Sequence, residues 1–204
     1  MKAVLMSIRP EWCKKILDGE KTVEIRKSCP AHGTPFKVYI YCTMTGSDKF
    51  FTDSLARNVD EWNLWKYPKR LGRVIGEFIC DGIRRIGPEY CIVKEDIESA
   101  IAGSCLTVPQ VKDYAGWKSG LSYADLKDLY GWHISDLKVY DNSKPLSYFS
   151  KHGFSSLFGT NVCGNEDCKY YEPSGDRIIP PTCGLNGCSL HRPPQSWCYM
   201  EDGE

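Results

Sequence analysis

The 204-residue chain contains no apolar run of about 18 residues, the length that reads as a membrane-spanning helix. Its opening M-K-A-V-L-M-S-I-R-P holds only a short apolar segment, with no small-residue cleavage site behind a signal-length core. The sequence therefore reads as soluble, unexported and cytoplasmic. An excess of one charge is also lacking: 26 Lys and Arg balance 26 Asp and Glu, so no large field announces a nucleic-acid or membrane partner. That balance still allows a local basic patch. Cysteine, in contrast, is plentiful at eleven. Seven of these (Cys13, Cys29, Cys42, Cys80, Cys91, Cys105, Cys198) are scattered through apolar or mixed segments, a pattern of buried free thiols in a reducing compartment rather than a disulfide framework. The length suits one domain with a normal core, here taken as residues 1–204.

K-A-V-L-M-S-I (2–8) reads as a buried strand, after which Arg9-Pro10 opens a helix with Pro10 at its first position. Cys13, Ile16 and Leu17 form the apolar stripe of that helix, and Gly19 supplies a left-handed stop. In T-V-E-I-R-K the residues alternate, with Val23 and Ile25 on one face and Glu24 and Arg26 on the other. Strong strands follow at 36–43 and 73–80. Between them Trp62, Trp65, Lys66, Tyr67, Lys69 and Arg70 form an aromatic and basic cluster, suited either to nucleic acid or to packing. Residues 89–93 are a weaker strand, 107–116 and 122–130 carry helical spacing with Thr107 and Ser122 as caps, and 131–140 returns to strand composition. Segment 141–162 reads as loop, and Q-S-W-C-Y-M (195–200) as a closing strand. Several strands with a few helices between them suggest a small mixed barrel.

S-I-R-P-E-W-C-K-K-I-L-D-G-E-K-T-V-E-I-R-K resembles the signature of the ASCH domain, a member of the PUA-like superfamily. Y-G-W-H-I-S-D-L-K-V-Y-D, K-P-L-S-Y-F and R-P-P-Q-S-W-C-Y-M-E resemble its phage and prophage branch. The resemblance implies an α+β fold: a PUA-like mixed β-barrel with flanking helices, and a cleft beside the first helix that holds the G-x-K-x-x-E-x-R residues. It also implies an RNA- or nucleotide-binding role. On that reading Val23 and Ile25 point into the barrel, Glu24 and Arg26 face the cleft, Lys21 stands at its rim, and Arg9 at the head of the helix joins them. Arg26 offers a planar donor fork and Lys21 a mobile cation for phosphate, while Glu24 can accept from a base amino group. The plain alternative is an ordinary Glu24–Arg26 pair on a sheet face.

Some small bacterial members of the superfamily are amidohydrolases that use a lysine and a threonine three residues later. Lys21 matches the lysine, but Glu24 stands at the threonine position, so Lys21 and Glu24 are the candidates for catalysis without that hydroxyl. His133, beside Trp132, is a further candidate for base recognition. Alternation allows only one of the two to face the cleft, and both can equally be core residues, as can Trp197.

C-G-N-E-D-C (163–168) and C-G-L-N-G-C (183–188) are near-copies within the Cys-, Gly- and Pro-rich stretch 163–190, which reads as an insertion. Cys163, Cys168, Cys183 and Cys188 can supply four tetrahedral thiolates to a structural zinc. Free thiols or disulfides are the alternative; iron-sulfur ligation, or substitution by His191 or Cys198, is a further one. Three functional classes thus stay open: an RNA or nucleotide binder, a hydrolase acting on a modified nucleoside or on RNA, and a protein-interaction module.

Overall fold

The computed structural model describes residues 2–44, 70–88, 94–117, 126–149, 154–155, 160–161, 171–175, 178–179, 181–183, 190 and 192–200. The fold is mixed α+β with a sheet-rich core. Among the described residues no helix is long and apolar enough to cross a membrane.

β1 (Ala3–Ile8) is buried along its whole length because both of its edges and both of its faces are covered. It pairs in parallel with β3 (Phe36–Cys42) and antiparallel with β12 (Trp197–Met200), so the closing strand returns to the first one, with Ala3 opposite Met200. β4 (Arg73–Cys80) and β7 (Ser135–Pro145) complete a five-stranded sheet in the order β12-β1-β3-β4-β7. A second sheet has β6 (Leu129–His133) between β2 (Val23–Arg26) and β5 (Ile83–Ile86), all antiparallel.

Alternation distributes the side chains over three apolar layers. Val4, Met6, Ile8, Phe36, Val38, Ile40 and Phe78 lie between the two sheets with Trp132, and α1 (Pro10–Leu17) adds Cys13 and Ile16 to that layer. Leu5, Tyr39, Tyr41, Val74 and Tyr140 pack on the opposite face of the large sheet. Ile25, Ile86 and Leu129 pack on the far face of the small sheet against α2 (Lys94–Ala100) and α3 (Val108–Ala115).

Local signals were obeyed where they were strong. Pro10 is the first residue of α1, and Gly19 follows it at φ +76°. Thr107 caps α3 in a reciprocal capping box with Gln110, and Gly116 ends it in the left-handed region. Three readings need correction. Helical spacing over 122–130 does not persist: 126–128 carry no regular structure, and Leu129 and Tyr130 belong to β6, whose central place in the small sheet outweighs their helical spacing. The loop assigned to 141–162 is too long, because β7 runs on to Pro145 along β4 and a 3-10 turn follows at Leu146–Tyr148. Cys105 is exposed and Cys29 and Cys198 are half-buried, while Cys13, Cys42 and Cys80 are buried; these six are unpaired. The strand at 89–93, the Ser122 cap and the cluster from Trp62 to Lys69 lie outside the described residues.

β8 (Phe154–Ser155) pairs with β9 (Thr160–Asn161), and β10 (Tyr171–Glu172) with β11 (Thr182–Cys183). Cys163, Cys168 and Cys188 lie outside the described residues. Cys183 stands opposite Tyr171 in the short β10–β11 ribbon.

Candidate functional site

The turn between α1 and β2 sets the site. The Lys21 amide donates to the Lys15 carbonyl at 3.0 Å, which folds the chain back over the helix and turns the lysine side chain inward. The amides of Thr22 and Val23 both donate to the Gly103 carbonyl, at 2.8 and 3.1 Å, which fixes the start of β2 against the segment between α2 and α3. Alternation then sends Glu24 and Arg26 to the side of Trp132, toward the layer between the sheets. Val23 and Ile25 go the other way, under α2 and α3. The expectation that the two apolar residues enter the barrel is thus reversed, because the helices supply a second apolar layer on the far face of the small sheet.

Lys21, Glu24 and Arg26 form one buried network. Lys21 Nζ donates to the Ser104 carbonyl at 2.5 Å and lies 3.3 Å from Glu24 Oε2. Arg26 Nη2 lies 3.0 Å from Glu24 Oε1 and donates to the Ser7 carbonyl at 2.8 Å. Lys21 is only 2 % exposed, so it is a fixed wall residue and not the mobile rim cation expected. The Trp12 ring covers it at 5.2 Å from Nζ. Two polar atoms of the network are left over: Glu24 Oε2 has no hydrogen-bond donor despite the nearby ammonium, and Arg26 Nε has no acceptor among the described residues. An ion network at this depth contributes little net stability when complete, yet removing one member costs a great deal.

The network forms one wall of a cleft of about 520 Å³. The N-cap of α1 contributes Arg9 and α1 itself Trp12, α3 contributes Gln110 and Tyr114, and the approach to β12 contributes Gln195 and Ser196. Arg9 is exposed, and its side chain has no bonded partner among the described residues. Burial raises the Tyr114 phenol above its ordinary value; the Arg26 guanidinium opposes that rise and the Glu24 carboxylate adds to it. Gln110 has a second duty, accepting from the Thr107 amide at 2.9 Å. The cleft thus presents fixed charges at its wall, two aromatic rings and a free arginine, a combination suited to a planar polar ligand that carries an anion.

Four expected residues, Arg9, Lys21, Glu24 and Arg26, come together here. His133 does not: it is about half exposed, pairs through Nδ1 with Asp81 Oδ1 at 2.6 Å, and lies away from the cleft. Trp132 belongs to the core, and Trp197 donates from Nε1 to Ser28 Oγ at 3.1 Å. Trp12, Tyr114, Gln110 and Gln195 escaped sequence reading. For Trp12 a signal existed, since it lies in the first turn of the helix that Arg9 caps. Among the described residues no group of metal-ligating side chains is assembled.

No protein-family model matches the chain, and no curated protein matches its sequence. Among solved structures it is similar to the crystal structure of ASCH from Zymomonas mobilis. That likeness has 17% identity and a TM-score of 0.47, covering 98% of this chain and 88% of that one. Two mutant forms of the same Zymomonas mobilis protein align at 16% identity and TM-score 0.47, over 98% and 89% of the two chains, and at 20% and 0.41, over 70% and 73%.

Proposed function

We propose that the chain is an ASCH-type, PUA-like domain of the phage and prophage branch that binds RNA or a nucleotide in the cleft beside α1. The observation that carries this reading is the convergence of Lys21, Glu24 and Arg26 on one wall of that cleft, with Trp12, Tyr114 and the free Arg9 around its mouth. Arg9 and Arg26 supply the anion contacts, Glu24 accepts from a base, and the rings supply stacking surface. Fluorescence anisotropy with labelled single-stranded RNA at several salt concentrations tests it. Arg9→Ala, a surface change, is expected to weaken binding and flatten the salt dependence, and Arg26→Ala to cost about 1–3 kcal/mol. Unchanged binding by both folded variants would sink the proposal.

The second reading is a hydrolase acting on a modified nucleoside or on RNA, and it rests on the 3.3 Å approach of Lys21 Nζ to Glu24 Oε2 at the cleft wall. Turnover of an acylated cytidine that is lost in Glu24→Gln, with binding retained, supports it. Absence of turnover leaves the binder. An interaction module would neither bind RNA nor turn over substrate.

A structural zinc on Cys163, Cys168, Cys183 and Cys188 belongs to the same proposal. The support for it is the repeat of the Cys-Gly-x-x-x-Cys unit, which offers four thiolates to one tetrahedral ion. Elemental analysis is expected to give one zinc per chain. A folded, metal-free preparation with all four thiols unpaired refutes it.

A further inference from the structure

A second depression, of about 600 Å³, lies beside the cleft along the small sheet. Its lining includes Lys27, Arg85, Lys127, Asp128 and Tyr130. The linings of the two hollows come next to each other at the end of β2, where Arg26 belongs to one and Lys27 to the other. Arg26 of the cleft stands opposite Tyr130 of the depression in the β2–β6 ladder. Lys27 follows Arg26 directly and places Nζ 4.9 Å over the ring of Tyr114, which lines the cleft. The charges here are not balanced. Arg85 is spent on Asp128 through two bonds of 2.6 and 2.9 Å, but Lys27 and Lys127 are exposed and face no carboxylate among the described residues. Among the described residues of this lining three cations stand against one carboxylate, a surplus of two, and the rings of Tyr114 and Tyr130 lie beside them.

Resting on the proposed cleft function, we infer that the ligand is a single-stranded polynucleotide and not a free nucleotide. One nucleotide occupies the cleft, and the neighbouring phosphates of the same strand run past Lys27 and Lys127. Phosphates neutralised by lysines release counterions, so the track adds affinity and salt dependence that a lone nucleotide does not experience. Rings interleaved with cations favour a nucleic-acid strand over an acidic peptide, which has no bases to stack.

The test compares a labelled random-sequence RNA octamer, by anisotropy, with the four nucleoside monophosphates, by calorimetry, on the full chain. The octamer is expected to bind at least tenfold tighter than any monophosphate. The double variant Lys27→Ala with Lys127→Ala is expected to weaken the octamer fivefold or more and to lower the salt slope by roughly 1 to 1.5. Lys127→Ala alone, at a residue outside the cleft lining, should leave monophosphate affinity as in the parent. If the octamer binds but the double variant matches the parent in affinity and slope, the track is wrong while the cleft stands. If neither probe binds, the cleft reading falls and takes the track with it. If a poly-glutamate peptide of equal charge displaces the octamer at equal concentration, the preference for a polynucleotide is overturned.

Discussion

Lys21 reaches across 83 residues of sequence to donate from its ammonium to the Ser104 carbonyl at 2.5 Å. The same ammonium faces Glu24, so its loss leaves a buried carboxylate short of one of its two cations and a buried carbonyl unpaired. Lys21→Met keeps most of the volume and removes the charge. It is expected to lower stability by about 3–5 kcal/mol, read as a reduced denaturant midpoint. A variant as stable as the parent would show that the network is not held in this form.

Gly103 is the hinge between this network and the helices. It sits at φ +77°, and a methyl group there would come within 2.3 Å of Thr22 Oγ1. Gly103→Ala is therefore expected to destabilise by about 1–2 kcal/mol from backbone strain and the displaced hydroxyl. Adding Thr22→Ala should recover part of the loss, because it removes the contact and leaves only the strain. A thermal-melt double-mutant cycle reads that coupling; strict additivity would contradict the contact.

The Asp81–His133 pair gives a pH signature away from the cleft. The His133 hydrogen bond holds the Asp81 carboxyl below its ordinary 3.8; burial opposes it, and the His133 charge adds to the lowering. A depressed carboxyl supports the fold above its ordinary value, and that support disappears as pH falls through the lower, folded-state value. In His133→Ala a carboxyl-carbon NMR titration should show Asp81 moving back up toward 3.8. No movement would mean that the two groups are not bonded in solution.

Thiol reactivity should follow burial. Burial pushes Cys80 up to about 12, and burial with the neighbouring Cys42 thiol holds Cys13 well above 9. Among the six cysteines whose burial is described, peptide-mapped labelling at pH 8 is expected to find Cys105 modified first, with Cys13, Cys42 and Cys80 modified only on unfolding. Because the Cys80 shift is upward, its stabilisation is complete below about 9 and is lost as pH climbs toward 12. Early labelling of Cys80 would contradict the packing of β4.

What the sequence made legible was local. Pro10, Gly19, Thr107 and Gly116 each act within one turn of chain, and β1, β3 and β4 are apolar enough to need no partner for their assignment. Alternation correctly separated Glu24 and Arg26 from Val23 and Ile25, but period-2 spacing cannot say which face meets which layer. That was decided by α2 and α3, about 70 residues further on, which cover Ile25. Tyr114 and Gln195 were illegible for a related reason: each comes from a distant segment, and nothing around it signals that tertiary packing will bring it to α1. His133 failed in the opposite sense, since its neighbour Trp132 took the inward face.

The division of β2 constrains how such a domain could change its ligand during descent. Two of its four residues anchor a hydrophobic layer and two hold the buried charges, so a single exchange at Val23, Glu24, Ile25 or Arg26 disturbs folding along with recognition. Arg9, Tyr114 and Gln195 stand apart from that division, on three separate segments. Paralogues with new preferences should therefore differ at the mouth and agree on the wall, so that the wall marks ancestry and the mouth marks diet.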